Sequence, residues 1–559
     1  TIVISSTCHP QTIEVMRTRA EPQDIRLVQG VREDLPIDER TFAVMVQYPA
    51  TDGTITEWDQ VAERAQAAGA MVIVATDLLS LTLLREPSAF GADVVVGSTQ
   101  RFGVPMGYGG PHAAFLATFQ KYLRLLPGRL VGVSKDRHGD PGLRLALQTR
   151  EQHIRRDRAT SNICTAQVLP AIVASMYAVY HGPKGVTNVA KRVRWLTGAL
   201  RLGLQQLGLE VTPKDVWFDT LTVTLTNEKE SLRIQEVLNK ERIYLRDYAD
   251  GRVGISVDEA STPDLLDQVL SAFAGLRKQT APPMADLLQE LPEDAGTPDN
   301  LRRTSEFLTG PVFNSHHTET KMLRYMKRLE QRDLSLAHSM IPLGSCTMKL
   351  NASAEMVSLT LPGFASLHPF LPAESAKGYH CLFRTLERQL ATATGFAGTT
   401  LQPNSGAQGE YTGLMLIRAY HNARNEGHRK VCLIPDSAHG TNPASAVMAG
   451  MEVVVLESRE DGSIDMEHLQ KVVDERREEL SAIMITYPST HGVFEPEVRE
   501  VCNVIHEAGG LVYMDGANLN AQVGLTAPAK IGADCCHINL HKTFAIPHGG
   551  GGPGMGPVC

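Results

Sequence analysis

The chain has 559 residues, 43% hydrophobic, 21% charged and 6% aromatic, fractions that exclude a disordered tail, a collagen or a coiled coil. With 54 Lys and Arg against 62 Asp and Glu, the formal net charge of −8 offers no broad footprint for nucleic acid or an anionic membrane. Nine cysteines without a CxxC pair or regular spacing exclude a disulfide scaffold and a zinc module. They predict a reducing compartment: the cytoplasm of a bacterium, which is favoured, or the mitochondrial matrix of a eukaryote. The longest near-apolar stretch, Ala68 to Leu84, is interrupted by Asp77, so no membrane span is expected.

The opening Thr1-Ile2-Val3-Ile4 reads as a buried strand. Ala43–Tyr48, Met71–Thr76 and Val94–Gly97 are further short apolar runs, separated by amphipathic stretches such as Asp59–Ala68. That alternation predicts an α/β fold, a mostly parallel buried sheet flanked by crossover helices. A helix is predicted from about Thr187 through Leu207, then strands at Leu221–Leu225 and Val253–Val257, then a helix at Leu265–Leu276. These make a small α+β lobe. Pro282-Pro283, Pro292 and Pro298 among polar residues mark a linker over 278–310. The α/β pattern resumes with Val431–Ile434, Ile483–Tyr487, Leu511–Met514 and Cys535–Ile538.

The resumption is a repeat. Ala43–Gly53 matches Ala482–Gly492, Ala68–Val72 matches Ala508–Val512, and Gly91-Ala92-Asp93 matches Gly532-Ala533-Asp534. Phe102–Pro105 matches Phe544–Pro547, and Thr7-Cys8-His9 falls opposite Ser437-Ala438-His439. Five matches in one order indicate a duplication. Each copy lacks the counterpart of a stretch present in the other, so the chain is expected to be an internal fragment of a longer protein. The predicted domains are 1–180 (first-repeat large domain), 181–277 (small lobe), 278–310 (linker) and 311–559 (second-repeat large domain).

Four features of the second repeat carry chemistry. Lys542, in His541-Lys542-Thr543, follows a buried run, where lost hydration favours the neutral amine that imine formation needs. Asp515 ends the strand Val512–Met514 at the sheet edge where α/β proteins place ligands, and its carboxylate can hold a ring nitrogen protonated. Pro403-Asn404-Ser405-Gly406-Ala407-Gln408-Gly409-Glu410 opens a helix whose N–H groups suit a phosphate. His439, in Asp436–Asn442, stands where a ring can lie over an aromatic cofactor. Taken singly, each also reads as structural: a snorkelling lysine, a helix cap, an N-cap and a satisfied histidine. Gly549, Gly551 and Gly554 spell GxGxxG, but they follow a lysine and enclose Pro553, against a dinucleotide site.

In chain order, the phosphate cradle, stacking histidine, ring-facing aspartate and imine lysine resemble the fold-type-I pyridoxal-phosphate enzymes. Ser405–Tyr411, Ser437–Ala444, Asn539–Phe544, Leu343–Asn351 and Arg150–Arg156 are similar to glycine decarboxylase, the P-protein family of the glycine cleavage system. The resemblance covers the whole chain and implies tandem transferase-like domains. It implies that Lys542 carries pyridoxal 5′-phosphate, Asp515 faces its ring nitrogen and His439 stacks on the ring. By the same resemblance Ser405, Gly406, Ala407 and Gln408 hold the phosphate, Thr490 or Ser489 reaches the ring hydroxyl, and Asn518 and His541 line the cofactor. Ser345, Cys346 and Thr347, in a turn-forming context, are candidates for glycine binding; an ordinary turn reads equally well.

The implied activity releases CO₂ from glycine and passes the aminomethyl group to the lipoyl group of the H-protein, with no metal, in a homodimer or a pseudo-dimer of repeats. The alternatives are a cysteine-desulfurase-like lyase and a non-catalytic scaffold. In the first repeat Gln100 stands opposite Lys542 and Ala75 opposite Asp515, so that copy is expected to be catalytically silent. Arg155, Arg156 and Arg158 are either cationic contacts to the site or a solvated helix face.

Overall fold

Long connections between consecutive apolar runs preclude hairpins, and those runs pair in parallel. The computed structural model describes residues 1–147, 152–155, 167–291, 297–332, 352–547 and 554–559. Strands β1 (Ile2–Ser5), β2 (Leu27–Gly30), β3 (Ala43–Tyr48), β4 (Met71–Thr76) and β5 (Val94–Ser98) are parallel. β6 (Ala114–Thr118) adds antiparallel to β5, completing the order β2-β1-β3-β4-β5-β6. β7 (Leu130–Lys135) and β8 (Pro141–Ala146) form a hairpin. β9 (Glu210–Thr212), β10 (Thr220–Thr224), β11 (Arg246–Asp247) and β12 (Arg252–Ser256) form the antiparallel sheet of the small lobe. β13 (Val431–Pro435), β14 (Glu452–Leu456), β15 (Leu480–Thr486), β16 (Leu511–Gly516) and β17 (Cys535–Ile538) make a parallel sheet ordered β14-β13-β15-β16-β17.

The chain divides into two compact units: residues 1–104, 114–119 and 172–334, and residues 105–113, 120–171 and 335–559. Residues 105–113 and 120–171, which precede the small lobe in sequence, thus group with the second repeat.

The duplication extends to strand register. Ile2 pairs with Ala43 as Cys432 pairs with Ala482, and Gln47 pairs with Ala75 as Thr486 pairs with Asp515. Ala75 then pairs with Val96, as Asp515 pairs with His537. The sequence match is therefore a match of positions in the two sheets.

The helix predicted over 187–207 is the second arm of a longer one, Val168–Gln206, bent at Gly182-Pro183. Gly182 has φ 60°, and a Cβ there would lie 2.5 Å from the Phe313 carbonyl oxygen. Helix Met284–Glu290 forms within the stretch read as linker, because Met284 and Leu287 bury themselves in the small-lobe core beside Leu200, Leu270 and Phe273. Among the described residues, no helix is long and apolar enough to cross a membrane.

In the second unit the sheet is buried on both faces. Leu433, Ile483, Ile485, Val512, Met514 and Cys536 point into one core; Cys432, Ile434, Ala482, Met484, Tyr513 and Cys535 point into the other. Helix Gly406–Ala423 covers the second face, contributing Tyr411, Leu414 and Ile417. Its close seating depends on Gly406, Gly409 and Gly413, which share one helix face. A Cβ at Gly413 would overlap the Tyr513 ring.

Gly413→Ala should therefore lower stability by about 1–3 kcal/mol through overpacking, despite the better helix propensity of alanine. Gly275, exposed in helix Pro263–Arg277 with nothing near its missing Cβ, is the control. Gly275→Ala should be neutral or stabilising by up to ~1 kcal/mol. Thermal unfolding of both variants measures the contrast, and equal melting temperatures would refute the close seating.

Candidate active site

Strand alternation decides which side chains meet. Tyr513 lies in the core beneath helix Gly406–Ala423, so Asp515, two residues on, faces the same side at the carboxyl end of β16. On β17, Cys535 and His537 share that side, and register sets His537 against Asp515. The result is a line of polar groups in an otherwise apolar layer.

Asp515 is 3% exposed, and a carboxylate so placed must be compensated. Its Oδ1 accepts from the Ala517 N–H at 2.9 Å, and its Oδ2 accepts from Asn442 Nδ2 at 3.3 Å. His537 Nε2 lies 3.4 Å from Oδ1. Burial alone would raise the carboxyl's pKa; His537, the Ala517 N–H, the Lys542 ammonium and Asn442 together outweigh it and hold the group below its ordinary value. Asp515 is thus ionised at neutral pH.

Burial keeps His537 below its ordinary pKa despite Asp515, so its ring is neutral. Tyr513, whose phenol burial pushes far up, donates to His537 Nδ1 at 2.5 Å. His537 Nε2 then faces Asp515 and the Asn539 amide, each at 3.4 Å, giving a buried chain from Tyr513 through His537 to Asp515.

Lys542 is half-buried in the short helix Leu540–Thr543, which follows Asn539, and its charge bears on Asp515, His537, His439 and Glu410. Ser405 caps helix Gly406–Ala423, its Oγ accepting from the Gln408 N–H at 3.1 Å. That leaves the Ser405 hydroxyl hydrogen available to an anion at the helix start. His439 precedes helix Thr441–Met448 and is exposed, with Thr441 Oγ1 at 2.9 Å from its Nδ1. Partial loss of hydration, with the Lys542 and Arg129 cations, holds its pKa down against Asp515. Arg129 comes from the segment 120–171, so the first half of the chain lends charge to this site.

The structure brings Lys542, Asp515, His439 and the Ser405–Gln408 turn to one end of the second sheet. Asn518 starts the turn Leu519–Ala521, and its Nδ2 donates to the Pro488 carbonyl at 3.0 Å, joining the ends of β16 and β15. His541 is buried beside Lys542. Thr490 lies exposed in the turn after β15, and Ser489 closes that turn by accepting from the Val493 N–H. Ser345, Cys346, Thr347, Arg156 and Arg158 lie outside the described residues; Arg155 ends the short helix Gln152–Arg155.

Sequence reasoning missed Glu410, Asn442, Tyr513 and His537. Glu410, His537 and Asp515 place ligand atoms within 4.8 Å of one another, a spacing a metal ion could use. Each is already engaged by protein groups: Thr441 and Ser445 on Glu410, the Ala517 N–H and Asn442 on Asp515, Tyr513 on His537. A usable signal was present, since polar residues two apart in apolar strands must share a face.

The first repeat has none of this at the equivalent positions. Ala75 and Val96 replace Asp515 and His537, and they join an apolar cluster with Ile4, Cys8 and Met45. Asp77 instead meets Arg101 at 3.0 Å, and the same guanidinium reaches Asp219 at 2.5 Å and Glu259 at 3.1 Å. This network ties the first sheet to the small lobe within that unit.

Tyr513→Phe should leave the His537 Nδ1 acceptor buried without its donor, at a cost of about 1–3 kcal/mol. Urea denaturation tests this, and a change under about 0.5 kcal/mol would show that the phenol is not a partner of His537.

A model of the glycine cleavage system P-protein family matches residues 1–273 and 285–558. Glycine dehydrogenase (decarboxylating) of Nostoc punctiforme is 55% identical over 562 residues, 99% of this chain and 57% of that protein. The mitochondrial glycine dehydrogenase (decarboxylating) of Flaveria trinervia is 53% identical over 559 residues, 100% of this chain and 54% of that protein. A crystal structure of glycine decarboxylase (P-protein) of the glycine cleavage system, in inhibitor-bound form, is 33% identical with a TM-score of 0.45, covering 49% of this chain and 65% of that one. The chain thus spans little more than half the length of the curated relatives it matches. With the family model covering nearly all of its residues, the chain belongs to the glycine cleavage system P-protein family.

Proposed function

We propose that the protein containing this chain is a pyridoxal-phosphate-dependent glycine dehydrogenase (decarboxylating). It releases CO₂ from glycine and passes the aminomethyl group to the lipoyl group of the H-protein. The observation that carries this reading is the asymmetry between repeats: an ionised, buried Asp515 near Lys542 in one, and Ala75 with Gln100 in the other.

The residues present fit pyridoxal phosphate by the chemistry of their donor set. A carboxylate held ionised under burial suits a protonated ring nitrogen. A capped helix start with a hydroxyl hydrogen to give suits a phosphate. A lysine amine suits an aldehyde. Once bound, the cofactor supplies an electron sink for the pair released when the carboxylate leaves glycine.

In this reading Asp515 keeps a proton on the ring nitrogen, and the Tyr513–His537 chain keeps Asp515 oriented. The Ser405 hydroxyl and the N–H groups of Gly406, Ala407 and Gln408 bind the phosphate. His439 presents its ring face, Lys542 supplies the amine, and His541, Asn518 and Thr490 complete the cofactor's surroundings. Ser345, Cys346 and Thr347 are assigned to the glycine carboxylate. The first repeat serves as the non-catalytic half of a pseudo-dimer or of a larger homodimer. The reaction belongs in the bacterial cytoplasm or, in a eukaryote, the mitochondrial matrix.

In the full-length protein, Lys542→Ala should abolish both the visible absorbance of bound cofactor and glycine-dependent CO₂ release, while Gln100→Ala should preserve the absorbance. Asp515→Asn should still bind cofactor but lose turnover by about a hundredfold or more, because its charge no longer holds the ring proton. A folded Gln100 variant without the absorbance, or an Asp515→Asn enzyme with normal turnover, would overturn the assignment. Thr347→Ala should weaken glycine binding more than cofactor binding in paired titrations; an unchanged glycine titration would make that segment structural.

A further inference from the structure

Glu410 stands on helix Gly406–Ala423, five residues after Ser405 and 4% exposed. Its carboxyl lies between two hydroxyls of helix Thr441–Met448: Thr441 Oγ1 is 2.7 Å from Oε1, and Ser445 Oγ is 2.7 Å from Oε2. Thr441 Oγ1 is also 2.9 Å from His439 Nδ1, and the Thr441 backbone N–H donates to that same nitrogen at 3.3 Å. One hydroxyl therefore links a buried acid to the exposed histidine.

A threonine hydroxyl has one hydrogen to give. Were Glu410 ionised, Thr441 would donate to the carboxylate and could meet Nδ1 only by accepting from it. The Thr441 backbone N–H, already directed at Nδ1, opposes a proton there. With Glu410 neutral the direction reverses: the carboxyl O–H donates to Thr441 Oγ1, and the threonine hydroxyl donates to Nδ1 beside the N–H. Reversal at Thr441 delivers a hydrogen to an acceptor already in place, and Ser445 continues to donate to Oε2.

We propose that neutral Glu410 is a positioning residue, holding His439 through the Thr441 hydroxyl in the tautomer with its proton on Nε2. The groups around it favour the neutral acid. Burial is the largest influence, and the Asp515 charge on β16 adds to it; together they outweigh the two hydroxyls and Lys542, pushing the carboxyl up to about 8. Tyr513 on β16 and His537 on β17 also face it, and both are neutral. His439 is held below its ordinary pKa by loss of hydration and by the Lys542 and Arg129 charges, so it too is uncharged in this range. Ionisation of Glu410 as pH rises through about 8 turns the Thr441 hydroxyl away from Nδ1. The role in catalysis rests on the reading of His439 in the preceding section; the hydrogen-bond chain does not.

The test uses the full-length protein without cofactor, labelled with ¹⁵N-histidine, with the His439 signals assigned by their loss in His439→Asn. At pH 7 the ring should report the Nε2–H tautomer with a hydrogen-bonded Nδ1, whose signal should shift as pH rises past about 8 and the Thr441 hydroxyl turns away. Glu410→Gln, whose amide can donate to Thr441 and accept from Ser445, should keep the Nε2–H tautomer and abolish the alkaline shift. Thr441→Val, which cuts the link, should abolish the shift as well. A predominant Nδ1–H tautomer at pH 7, or an unchanged alkaline shift in either variant, would overturn the proposal. Failure of the wild type to bind pyridoxal phosphate would count against the cofactor reading alone, since the tautomer measurement uses no cofactor.

Discussion

One buried charge organises the second repeat. A carboxylate removed from water is stable only if protein groups replace its hydration, and Asp515 is surrounded accordingly. The Ala517 N–H, Asn442 and His537 contact it directly, and the Tyr513 phenol holds His537. Each comes from an element that the parallel sheet places at the same end: the turn after β16, helix Thr441–Met448, β17 and β16 itself. Removing any of them would weaken that compensation, which explains why so much of the local polar structure converges on one side chain.

Two acids in one buried pocket cannot both ionise cheaply. Asp515 has a histidine, an N–H and an amide; Glu410 has two hydroxyls that can either donate or accept. The environments push the two pKa values apart, down for Asp515 and up for Glu410. That separation lets one group carry a fixed negative charge while the other serves as a hydrogen-bond donor.

The first repeat shows the same fold without that demand. With Ala75 and Val96 at the paired positions, the sheet end closes over Ile4, Cys8 and Met45. Its half-buried charges lie elsewhere, Asp77 two residues further along the strand, where Arg101 joins it to Asp219 and Glu259. A duplicated scaffold has thus kept strand order and register while exchanging an ionised pocket for an apolar cluster and a structural ion-pair network.

The sequence by itself determined the α/β class and the duplication, and it marked Lys542, Asp515, His439 and Ser405 as candidates. These follow from local quantities: apolar runs of strand length, residues repeated in order, and small polar motifs at strand ends. Only the tertiary structure decided the partners. His537 meets Asp515 because β16 and β17 pair in one register, and Glu410 reaches His439 because helix Gly406–Ala423 packs close on the sheet through glycines. Likewise Met284 and Leu287 turn a proline-flanked stretch into a helix only once a core is there to receive them, and residues 120–171 join the second unit although they precede the small lobe. Hydrogen-bond partners, pKa values and unit membership depend on distances between residues far apart in the chain, and strand patterns and motifs carry no such distances.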